Sequence, residues 1–166
     1  MGLDMNFYKR TYLTPKKERT EDFDLKYPDV RVQEYDDIDG NRNSARIHEN
    51  VTYVVSKIGD FRKANAIHQF IVDRCWGQDD PNCQLILVPR ETMKELKYIC
   101  QTLLSIKDQD EFEKQAEELL PTQSGFFFGS LEYDDYYRDC LKHAVEMIDA
   151  QPLDDDSVDY IYRCWY

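Results

Sequence analysis

"LDMNFYKRTYL", residues 3–13, decides whether this chain contains a sheet. On an extended backbone Leu3, Met5 and Phe7 fall on one side and Asp4, Asn6 and Tyr8 on the other. Side chains of a strand alternate between faces, so this period of two predicts a first strand. Working outward, "DVRVQEYDDI" at 29–38 alternates in the same way and reads as a second strand. The polar, proline-started stretch 14–26 between them reads as a loop, and Asp39 with Gly40 as a turn.

Beyond the turn the period changes. Ile47, Val51, Val54, Val55 and Ile58 recur at helical spacing, which predicts a core-facing helix ending near Gly59. Asp60 is then placed to cap a second helix over "FRKANAIHQFIVDRCW", residues 61–76. "CQLILV", 83–88, reads as a buried or edge strand. Pro89 opens a third helix that turns Met93, Leu96, Ile99, Cys100, Leu103 and Leu104 inward. "DEFEKQAEELL", 110–120, is a fourth helix stopped by Pro121, and "SGFFFGS", 124–130, a strand with glycines near both ends. A fifth helix starts near Asp134. The tail 152–166 carries Tyr160, Tyr162 and Trp165 and is too apolar to be left in water, so it is expected to dock on the body. The expected class is α+β in a single domain, about five helices packed with a small antiparallel sheet.

Composition narrows the function. The 166 residues carry a net charge of -12, which argues against direct DNA or RNA binding because phosphate neutralisation needs a basic face. A field of that sign suits a basic protein partner, and admits a small anion only in a local basic pocket. Twelve tyrosines against two tryptophans supply many rings with a wet hydroxyl edge, a composition suited to contact with a ligand or partner. Five cysteines without a pairing pattern read as free thiols. With neither a signal-peptide core nor a run of membrane-span length, the expected location is the cytoplasm, with no membrane contact. Self-association is left open.

Two segments bring polar donors, cations and rings together. The first holds Arg62, Lys63 and Asn65 near a predicted helix start, where cations and backbone donors suit phosphate or carboxylate. His68, among apolar neighbours on the helical wheel, reads as a core histidine. In the second, Gln123 and Ser124 precede Gly125, at which a backbone can approach a ligand closely. Phe126, Phe127 and Phe128 cannot all face one side of a strand, so Phe127, with Tyr133, Tyr136 and Tyr137, is a candidate for stacking on a base. Glu132, Asp134 and Asp135 read as helix-start carboxylates rather than metal ligands. No spacing identifies a catalytic residue, a metal site or a cofactor.

The opening "MGLDMNFYKR", the central "FRKANAIHQFIVD" and the late "ELLPTQSGFFFGSLEYDDYY" together resemble a family of small bacteriophage and prophage proteins. The likeness runs from residue 1 to about residue 148, and the chain departs from it at Gln69 and Phe70 beside His68. The resemblance implies a phage accessory role in the host cell, such as counter-defence. Two classes of function then compete: a non-enzymatic binder that sequesters a host signalling nucleotide, and an acidic inhibitor or nucleic-acid mimic acting on a basic host protein. A phosphoesterase acting on the same nucleotide comes third.

Overall fold

The structure, a computed structural model, describes residues 2–12, 53–77, 80–125 and 128–166. Four strands form one antiparallel sheet: β1 Asp4–Tyr12, β2 Tyr53–Arg62, β3 Leu85–Val88 and β4 Val158–Trp165. Their order across the sheet is β2-β1-β4-β3. Four helices accompany them among the described residues: α1 Asn65–Cys75, α2 Arg90–Ser105, α3 Gln109–Leu119 and α4 Asp135–Asp149. The class is α+β as the sequence predicts, with one helix fewer.

The missing helix is β2. Residues 53–58, read from the spacing of Val54, Val55 and Ile58 as the end of a helix, are strand instead. The cause is a β-bulge. Phe7 pairs with Gly59 and Tyr8 with Lys57, which leaves Ile58 as an extra residue on β2. One added residue changes the apolar spacing from two to three and imitates a helical period. Helix α1 accordingly begins at Asn65 and not after Asp60, and Phe61 and Arg62 close the strand. The strand expected over 29–38, the loop over 14–26 and the turn at Asp39 lie outside the described residues. So does Phe127, while Ser124, Gly125 and Phe128–Ser130 are irregular, not the strand expected of "SGFFFGS".

Pairing register fixes the two faces of the sheet. Met5 and Phe7 lie opposite Cys164 and Tyr162 of β4, which neighbours Ile86 and Val88 of β3; all are buried against the helices. The helix layer answers with Ile67, Phe70 and Ile71 of α1, Met93, Leu96 and Leu103 of α2, Phe112 of α3, and Leu141 and Ile148 of α4. The tail after Pro152 does more than dock: as β4 it sits between β1 and β3.

Helix α4 crosses β2 at Gly59. A Cβ there would stand 2.4 Å from Sδ and 2.8 Å from Cγ of Met147, which is buried. Gly59→Ala is therefore expected to lower stability by about 1–2 kcal/mol through overpacking, read as a shift of the urea midpoint at unchanged slope. No helix of the described residues is long and apolar enough to cross a membrane.

Candidate functional site

The two segments singled out in the sequence meet. Asn65, 3% exposed at the first turn of α1, donates from Nδ2 to the carbonyls of Phe128 (3.0 Å) and Ser130 (2.8 Å), and its Oδ1 accepts from the Gln123 amide at 3.0 Å. Three hydrogen bonds tie the 122–130 loop to the β2–α1 junction. The approach is close: Gly129 has φ +95°, and a Cβ on it would stand 2.8 Å from Cβ of Lys63. Lys63 is itself left-handed at φ 59°, with its amide bonded to the Leu3 carbonyl at 2.6 Å.

Tyrosines complete the junction from the other side. Tyr136 donates its hydroxyl to the Arg62 carbonyl, and Tyr137 donates to the Leu120 carbonyl at 2.8 Å. Tyr133 stacks edge-on against Tyr137 with centroids 5.1 Å apart. Burial raises the Tyr137 hydroxyl well above its ordinary range and keeps it protonated. The enclosed space between the segments measures about 30 Å³ and is lined by Asn65, Thr122, Ser130, Tyr136 and Tyr137 among others. That is room for a water molecule and far too little for a base. The polar atoms of Asn65 and the hydroxyl of Tyr137 are thus engaged within the fold. Arg62, Lys63, Gln123 and Ser124 stand exposed at its rim, with Arg62 Nε 3.7 Å from Asp4. His68 is the core histidine expected, with Nδ1 2.6 Å from the Tyr162 hydroxyl.

Just outside this junction the N-termini of α3 and α4 come together. Asp108 and Asp134 cap the two helices by accepting from the amides of Glu111 (3.0 Å) and Tyr137 (2.9 Å). Gln109 donates to the Tyr133 carbonyl at 3.1 Å, and Arg138 reaches back to Gln109 Oε1 at 3.0 Å. The carboxylates of Asp108, Asp110 and Glu113 therefore share one surface with those of Glu132, Asp134 and Asp135. Residues 106–149 carry twelve carboxylates and four cations, a net charge of -8 out of the chain's -12. Arg138 lies over the Phe112 ring at 3.4 Å, exposed Lys107 directly precedes Asp108, and exposed Lys63 lines the same cleft as Glu132, Asp134 and Tyr136. Leu131 and Tyr136, 50% and 51% exposed, stand among these carboxylates.

A larger concavity was not anticipated. It measures about 560 Å³ and lies between α2 and the connection from α4 to β4. Lys94 and Lys97 on one wall pair with Asp154 (3.1 Å) and Asp149 on the other. The polar arc of α2 was its only signal, since the facing wall comes from residues some fifty positions away. Both cations are neutralised across the groove.

Burial raises the thiols of Cys75, Cys100, Cys140 and Cys164, so none is a ready thiolate at neutral pH. Among the described residues no three His, Cys, Asp or Glu side chains converge as metal ligands. No protein-family model, curated protein or solved structure matches the chain.

Proposed function

We propose that this protein is a non-enzymatic binding protein whose acidic face, at the joined N-termini of α3 and α4, docks a basic partner protein. The carrying observation is the placement of exposed Leu131 and Tyr136 beside the carboxylates of a segment, residues 106–149, whose net charge is -8. Charge around an apolar anchor is the arrangement that steers a partner by its field and retains it by burial. An acidic inhibitor of a host protein, or a mimic of nucleic acid in a basic groove, is the form this takes within the phage accessory role implied by the resemblance.

The test is binding to a panel of purified host nucleases and other basic nucleic-acid-binding proteins, followed at rising salt. The combined reversal Glu132→Lys and Asp135→Lys is expected to weaken binding at least tenfold, mainly in the association rate, while Glu146→Lys, further along α4, changes it little. Equal losses from both variants would remove this face from consideration.

Sequestration of a signalling nucleotide is the second reading. It is supported by the exposure of Arg62, Lys63, Gln123 and Ser124 along one rim, where Asn65 joins their two segments. A ligand on that rim would be held by side chains at the surface, not inside the 30 Å³ space. A thermal-shift screen against linear and cyclic nucleotides tests it: stabilisation that Arg62→Ala abolishes without unfolding would favour this reading over the acidic face.

A further inference from the structure

Among the described residues the sheet has β2 and β3 at its edges, and the two are built differently. β2 presents Lys57, Asp60 and Arg62 to solvent and carries the bulge at Ile58, both devices that keep a foreign strand from pairing. β3 has neither. Its Leu85 and Leu87 are 54% and 55% exposed on the face away from the helices, and among the described residues it pairs with β4 alone. Residues 81–90, "PNCQLILVPR", hold no carboxylate in a chain where 33 of 166 residues are acidic.

We propose that the edge of β3 left unpaired among the described residues pairs antiparallel with β3 of a second copy of this chain, forming a twofold dimer with one continuous sheet. The strand is self-complementary. An axis through Ile86 sets Leu85 opposite Leu87 of the second copy and Ile86 opposite its counterpart, so exposed leucines meet exposed leucines on one face. Every core-facing residue stays on its own side. Two chains of net charge -12 repel wherever their carboxylates face, which singles out this uncharged edge as the place where copies can approach.

A basic partner would be drawn to the acidic face instead, so the edge and that face are separate surfaces. Sedimentation equilibrium in roughly 0.3 M salt, where repulsion is screened, tests the proposal. The expected result is a molar mass that rises toward twice the monomer value with concentration. Leu87→Lys, which places a charge where natural edges carry one, should weaken the dimer at least tenfold at unchanged circular dichroism; Leu85→Lys provides a second variant should the first fold poorly. Wild-type protein that stays monomeric at every concentration would overturn self-pairing, even if the edge accepted an extended peptide. Folded lysine variants that both dimerise as tightly as wild type would overturn it as well.

Discussion

Asn65→Ala is expected to lower the unfolding free energy by about 3 kcal/mol, at about 1 kcal/mol for each of three lost hydrogen bonds. For a chain of 166 residues that corresponds to a fall of roughly 6–12 °C in Tm. The loss should also be uneven. The amide of Gln123 and the carbonyls of Phe128 and Ser130 lose their partner together, so the loop they belong to should open more readily than the sheet. Hydrogen exchange at Gln123 and proteolysis within 121–134 are expected to accelerate by more than the global destabilisation accounts for. Asn65→Asp should do no better, since it keeps one acceptor but sets a carboxylate oxygen against two carbonyls. A variant with unchanged Tm and loop protection would show that Asn65 is free to serve a ligand.

That expectation also marks what the sequence conceals. A buried asparagine that clamps a loop and an exposed one that holds a phosphate look alike in sequence, because the difference lies in what the fold brings within 3 Å. Tyr137 poses the same ambiguity: its hydroxyl is committed to the Leu120 carbonyl, from the preceding helix end. Local signals were easier to read. The alternation in β1, Pro89 before α2 and Asp134 before α4 act within a few residues, and each stands where its chemistry predicts. β2 was obscured by its bulge. The place of β4 was obscured for another reason, since pairing between residues 4 and 165 is not a local property. The sequence shows carboxylates at 108–113 and at 132–135, but only the contact of Gln109 with Tyr133 and of Arg138 with Gln109 brings those two segments together.

The second large expected effect is a loss of stability on mild acidification, centred on His68. The imidazole is 2% exposed, bonds to Tyr162, and packs edge-on against Phe128 (5.1 Å) and Tyr166 (6.1 Å). Burial pushes its pKa from 6.5 down to about 4, with the Asp73 carboxylate opposing the shift only in part. The unfolded chain therefore takes up a proton near pH 6.5 that the folded chain refuses until about pH 4. Stability from this residue is complete above pH 6.5 and is lost as the pH falls through that window, by about 2 kcal/mol at pH 5 and about 3 kcal/mol at pH 4. Carboxylates with lowered pKa, such as Glu95 beside Arg74, add losses at lower pH, while neutralising a -12 chain relieves repulsion and works the other way. His68→Leu separates these contributions. It removes the bond between His68 and the Tyr162 hydroxyl, a cost that does not depend on pH in this range because burial keeps that hydroxyl protonated. Urea unfolding of both proteins between pH 7.5 and 5 should then show curves that converge as the pH falls, by about 2 kcal/mol. Parallel curves would mean that His68 binds its proton in the folded chain as readily as in the unfolded one, and that the aromatic enclosure around it admits charge.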